Sequence, residues 1–75
     1  MVTVYSKPAC VQCTQTKKYL DMKGIEYTSI DITEDPVALE LILEKGFKAA
    51  PVVNAGDQWW SGFQPDRIDT LTDSV

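Results

Sequence analysis

The chain holds two cysteines, Cys10 and Cys13, separated only by Val11 and Gln12. A C-x-x-C pair can exchange electrons as a dithiol and disulfide, or it can lend two thiolates to a metal. Residues three apart at a helix start point to the same side, so the two sulfurs can come within disulfide reach. Backbone N–H groups are unpaired at a helix start and the dipole there is positive, which favours thiolate over thiol at Cys10. Lys7 adds a nearby cation that acts in the same direction. Cys10 is therefore expected to be the exposed nucleophile. Cys13, one turn inside the helix, is expected to be the more buried resolving thiol. Exchange needs only a fraction of thiolate near neutral pH, so the absence of histidine does not count against it. A zinc or iron–sulfur carrier is the rival use of the pair. With two cysteines and no histidine, a second chain would have to complete its ligand set.

The pair must be held by the elements around it. Residues 2–6 alternate and are rich in β-branched side chains, predicting a first strand, which Lys7-Pro8-Ala9 breaks. A helix is predicted over 11–23, with apolar positions at Val11, Tyr19, Leu20 and Met22, and Gly24 ends it. Residues 25–32 read as a second strand. Thr33-Glu34-Asp35-Pro36 is a helix start, with acids at the positive end of the dipole and proline at the first helical position. Residues 37–45 form the second helix, with Val37, Ala38, Leu41 and Ile42 as its buried stripe, and Gly46 ends it. Residues 51–54 and 58–60 are short strands around a turn at Gly56-Asp57, which should make an antiparallel hairpin. The last helix begins near Gln64-Pro65-Asp66, with Asp66 as its first-turn acid and Ile68 and Leu71 facing inward. On alternation, Trp60 should face inward and Trp59 should lie on the outer face.

The order β-α-β-α-β-β-α implies an α/β fold in which the first crossover makes strands one and two parallel. A four-stranded mixed sheet flanked by three helices, in the minimal thioredoxin-like arrangement, is the expected architecture. In such a fold Pro51 is expected to be cis. Ala50 would then offer its backbone N–H and C=O beside the sulfurs to an extended substrate strand.

Seventy-five residues make one domain, spanning 1–75. A chain this short buries only about 60% of its unfolded surface, and two cysteines three apart staple little of it. An apolar content of 44% must therefore hold it by packing. Seven basic and eleven acidic residues give a net charge of −4, which argues against nucleic-acid backbone binding. The local cluster of Lys7, Lys17, Lys18 and Lys23 reads as a solvated helix face, or as a positive rim for an acidic partner or a thiolate. Met1 leads directly into the first strand with no basic segment or apolar run, and no stretch reaches the roughly 20 residues a bilayer requires. A cytoplasmic protein without membrane partners is the expectation.

Three segments, Lys7-Pro8-Ala9-Cys10-Val11-Gln12-Cys13, Ala50-Pro51-Val52-Val53 and Trp60-Ser61-Gly62-Phe63-Gln64-Pro65-Asp66, closely resemble the NrdH redoxins. The resemblance covers essentially the whole chain, and its most specific element is W-S-G-F-x-P-D. It implies a dithiol–disulfide oxidoreductase, glutaredoxin-like in sequence and thioredoxin-like in behaviour, and a monomer is the separate expectation for a chain this small. Such a protein binds no cofactor itself. It is reduced by thioredoxin reductase, which uses NADPH and FAD, and passes electrons to the large subunit of class Ib ribonucleotide reductase. Carried onto this sequence, Cys10 is the nucleophile, Cys13 the resolving thiol and Pro51 the cis proline. Lys7, Val11, Gln12, Ala50, Trp60, Ser61, Gly62 and Phe63 are the expected substrate or partner contacts. Glutathione-dependent glutaredoxin is the nearest rival. Val11-Gln12 stands where glutaredoxins usually carry Pro-Tyr, and Phe63 and Pro65 stand where backbone N–H groups and carboxylates would grip glutathione, so its binding should be weak. Trp59 departs from the family's usual polar or histidine residue. With Phe63 it could form a docking surface for a reductase.

Overall fold

Alternation in the N-terminal residues produces strand β1 (Val2–Ser6), an interior strand of a four-stranded sheet. It pairs in parallel with β2 (Tyr27–Asp31) and antiparallel with β3 (Val52–Ala55), which pairs antiparallel with β4 (Gln58–Ser61). The spatial order is β2-β1-β3-β4. Helices α1 (Val11–Met22), α2 (Pro36–Glu44) and α3 (Pro65–Asp73) complete the chain order β-α-β-α-β-β-α. This is the α/β, minimal thioredoxin-like architecture that the sequence predicts. The computed structural model describes residues 2–73, with side chains described through residue 71.

The pleat divides the sheet residues between two faces. Val2, Val4, Val53 and Trp60 face one side and pack with Leu20 of α1 and Ile68 of α3. Tyr5 and Val52 face the other and pack with Ile32 and with Ala38 and Ile42 of α2. Two helices therefore cover one face and one covers the other. Leu20, Ile42, Ile68, Val4, Val52 and Val53 are fully buried, and each such side chain contributes about 1.5–3 kcal/mol relative to exposure.

Local signals set the helix ends. Asp35 caps α2, its carboxylate accepting the Ala38 N–H at 3.0 Å, and Pro36 occupies the first helical position. At the end of α1, Ile25 N–H donates to Leu20 O and Gly24 N–H to Asp21 O, with Gly24 at φ +72°. This paired closure requires a left-handed residue, which glycine adopts without a Cβ clash. Phe47 and Gly46 close α2 with the same pair of bonds, to Ile42 O and Leu43 O.

The structure corrects four packing expectations. Val11 and Met22 are 73% and 71% exposed, because α1 buries Cys13, Thr16 and Leu20, a stripe on which neither lies. Thr16 occupies a core position because its hydroxyl donates to Gln12 O at 2.8 Å, which satisfies it locally. Val37 is 75% exposed, since α2 turns Ala38 and Ile42 inward. Trp59 does lie opposite Trp60, but that face is covered. It is half-buried and stacked between Tyr5 and Phe47, with ring centroids 6.0 and 6.4 Å away and Lys45 Nζ 5.2 Å from its own.

One end of the sheet gathers the connections that matter. The parallel β1 and β2 finish there, while β3 starts and β4 finishes there, because they run antiparallel. Residues 7–10, 32–35, 45–51 and 62–64 are thus brought to a single edge.

Candidate active site

Cys10 is the N-cap of α1, in extended conformation, and Cys13 is the third residue of the helix. Their Cα atoms are 5.2 Å apart and their sulfurs are joined as a disulfide. The Cys13 N–H donates to Cys10 Sγ at 3.2 Å, and the Thr14 N–H donates to Cys10 O at 3.1 Å. Cys10 Sγ thus takes the place that a serine or aspartate oxygen holds at an ordinary N-cap. Cys13 is 2% exposed, behind the half-buried Cys10, with Thr16 one turn deeper. The two sulfurs are therefore unequal in their access to solvent.

An open groove of about 500 Å³ runs beside the disulfide, lined by Lys7, Pro8, Ala9, Val11, Thr14 and Lys17 with the two cysteines. Of the predicted lysine cluster, the fold brings Lys7 and Lys17 to this groove. Lys23 lies at the other end of α1, where its Nζ is 3.1 Å from Asp69 Oδ1. Asp31, at the end of β2, is held below the usual carboxyl value mainly by the side-chain hydrogen bond from Thr33. The Thr33 backbone N–H and the Lys17 charge add to that effect.

The Ala50–Pro51 peptide is cis. Pro51 is buried and immediately precedes β3, whose last pair with β1 is Val52 with Tyr5, so Ala50 stands just beyond the ladder at the active end. Pro51 O accepts the Gly62 N–H at 2.8 Å, and Gln12 Oε1 accepts the Phe63 N–H at 3.1 Å. Gln64 Nε2 donates to Ser61 O at 2.7 Å. These bonds join the cysteine helix, the proline segment and the residues between β4 and α3. Trp60 is 3% exposed beneath α3, with the Arg67 guanidinium 5.7 Å from its ring centroid. Phe63 packs against the same cluster as Trp60 and meets Tyr19 edge-on at 5.9 Å. Trp59 belongs to the opposite face, so it and Phe63 do not form one docking surface.

Two side-chain roles on α1 are not predicted by the sequence. Thr16 is polar, and only its spacing from Cys13 and Leu20 marks it as inward-facing. Tyr19 donates its hydroxyl to Asp69 Oδ1 at 2.6 Å, joining α1 to α3 across 50 residues, a pairing that no local signal carries. Among the described residues no group of three or more metal-ligating side chains occurs, and no helix is long and apolar enough to cross a membrane.

Comparison with known proteins agrees with this geometry. The glutaredoxin family model matches residues 2–60. The glutaredoxin-like protein NrdH of Lactococcus lactis subsp. cremoris is 45% identical over 71 residues, covering 95% of this chain and 99% of that protein. NrdH of Escherichia coli K12 is 41% identical over 70 residues, covering 93% and 86%. The solved structure of Escherichia coli NrdH-redoxin, described as the basis of that protein's thioredoxin-like activity profile, superposes with a TM-score of 0.91. It is 41% identical, with 93% of this chain and 92% of that chain covered. A buckwheat glutaredoxin–glutathione complex superposes at 0.73 with 25% identity, covering 97% of this chain and 69% of that one. The chain belongs to the glutaredoxin family, among the NrdH glutaredoxin-like proteins, and is a thiol–disulfide oxidoreductase with Cys10 and Cys13 as its pair.

Proposed function

We propose that this protein is a monomeric cytoplasmic electron carrier that takes electrons from NADPH through the flavoprotein thioredoxin reductase. It delivers them to the large subunit of class Ib ribonucleotide reductase. It binds no cofactor of its own, and NADPH and FAD act on the reductase. Cys10 thiolate attacks one sulfur of a substrate disulfide, forming a mixed disulfide and expelling the other sulfur as a thiolate. Cys13 then loses its proton and attacks Cys10 Sγ, forming the intramolecular disulfide and releasing the second substrate thiol. The substrate gains two electrons and two protons, and the reductase returns the electrons to the Cys10–Cys13 disulfide. The observation that carries these roles is the access difference between the sulfurs. Cys10 is at the N-cap within an open groove, and Cys13 is 2% exposed behind it.

Lys7 and Val11 line the approach to Cys10, and Ala50 is the backbone edge for an extended substrate. Ser61, Gly62 and Phe63 form the adjoining rim, braced from below by Trp60. The choice of reductase over glutathione is supported by the loop before α3. There Phe63 N–H is already engaged by Gln12, and Pro65 has no N–H to offer a ligand carboxylate. It is supported also by the relative whose activity profile is thioredoxin-like. The decisive assay follows NADPH oxidation with a disulfide substrate, using thioredoxin reductase in one arm and glutathione with its reductase in the other. Turnover in the first arm and little in the second is expected. The reverse would exclude this electron source.

A further inference from the structure

Gln12 stands between the two cysteines, uncharged and solvent-exposed, yet its side chain makes a long-range bond. Its Oε1 accepts the Phe63 N–H at 3.1 Å, across 51 residues. The preceding residue, Gly62, donates to Pro51 O at 2.8 Å. Gly62 has φ +80°, and a Cβ built there would lie 3.3 Å from Gln12 Oε1. The bridge therefore passes through space that glycine leaves open.

Neither element it joins depends on it for closure. The start of α1 is held by Cys13 N–H to Cys10 Sγ, Thr14 N–H to Cys10 O and the Thr16 hydroxyl to Gln12 O. The loop before α3 has its own brace from Gln64 Nε2 to Ser61 O. What Gln12 adds is a fixed relation between two separate parts of the site, the cysteine helix and, through Gly62, the Ala50–Pro51 segment.

We propose that Gln12 is a positioning residue that sets the reach between Cys10 and the Ala50 edge. It thereby governs the reduction of disulfides carried on an extended polypeptide. The proposal rests on the exchange reading above. A peptide substrate must place its backbone against the edge and its sulfur against Cys10 at once, so drift of one relative to the other costs rate. A small free disulfide makes only the second contact and is indifferent to the distance.

The test compares kcat/KM for a neutral cyclic disulfide peptide with that for 2-hydroxyethyl disulfide, using dithiothreitol as reductant. Gln12→Met keeps length and volume but removes the acceptor. Gln12→Glu keeps an oxygen acceptor, and its added charge acts on Cys10 for both substrates alike. The ratio of the two rates should fall about tenfold in Gln12→Met, within the penalty that slight misplacement imposes, and recover in Gln12→Glu. Gly62→Ala, which crowds Oε1 with Gln12 in place, should lower it in the same direction. An unchanged ratio in Gln12→Met, or equal ratios for Met and Glu, would overturn the proposal. Failure of the unmodified protein to reduce even the small disulfide would overturn the exchange reading, and this proposal with it.

Discussion

At the scale of single residues, the chemistry comes down to how differently one short helix start treats two identical side chains. Cys10 accepts a backbone N–H at the cap, and Cys13 points into the packed face of α1 above Thr16. In the reduced protein, iodoacetamide should therefore modify Cys10 at least about tenfold faster than Cys13, because thiolate character and access both favour it. Peptide mapping by mass spectrometry after short exposures checks this, and equal labelling would contradict the assigned order. The pair and the deeper burial of Cys13 were legible in the sequence from spacing and position alone. The Gln12 bridge was not. A hydrogen bond to a backbone N–H 51 residues away has no signature in composition or periodicity, because any residue but proline at position 63 could supply that donor.

At the scale of elements, the site depends on how α1 and α3 share a face of the sheet. Leu20 and Ile68 are both fully buried between helix and strands. Leu20→Ala should cost about 2–5 kcal/mol, the usual range for a buried leucine whose cavity cannot collapse, measured by denaturant unfolding. A loss below 1 kcal/mol would mean that α1 is not anchored there. The same helices are joined at their rim by Tyr19, Lys23 and Asp69. The Tyr19 hydroxyl, and then Lys23, hold the Asp69 carboxyl below its ordinary value. Asp69 in turn pushes the Tyr19 phenol and the Lys23 ammonium up. A depressed carboxyl stabilises the fold above its ordinary pKa and loses that contribution as pH falls through its folded value. A raised phenol or ammonium stabilises below its ordinary value and loses that contribution as pH rises through the folded one. The cluster should therefore act between about pH 4 and about pH 10. Asp69→Asn should lower the Tm at pH 7, with the gap to the unmodified protein closing outside that window. A gap independent of pH would show that charge is not involved.

Strands, glycine-ended helices and the hairpin could be read directly from the sequence because each has a local cause: alternation, a left-handed stop, a tight turn. Which helix residues face inward was less legible. Val11, Met22 and Val37 are apolar but face solvent, whereas Thr16 is polar and buried, because position on the helix rather than side-chain type decides burial here. Trp59 shows the same limit on a strand. Alternation placed it opposite Trp60, but only the packing of Tyr5 and Phe47 on either side shows that this face is covered.

At the scale of the whole molecule, the parallel crossover and the antiparallel hairpin together deliver four connections to one end of the sheet. The disulfide, the cis proline and the loop before α3 meet there, and hydrogen bonds join them. The protein carries a net charge of −4, yet the groove beside Cys10 is lined by Lys7 and Lys17 and, among the described residues, by no acid. Lys7→Glu and Lys17→Glu together should slow reduction of an acidic disulfide peptide several-fold at low salt, with the difference shrinking as ionic strength rises. A deficit insensitive to salt would assign these lysines no electrostatic part.

The proposed chemistry turns on Cys10 attacking and Cys13 resolving. In Cys13→Ser the mixed disulfide can form but cannot be resolved. Incubating the reduced variant with the oxidised large subunit of class Ib ribonucleotide reductase should give a stable one-to-one adduct, mapped by mass spectrometry to Cys10 and released by dithiothreitol. No adduct with Cys13→Ser, or an equal yield through Cys13 in Cys10→Ser, would contradict it.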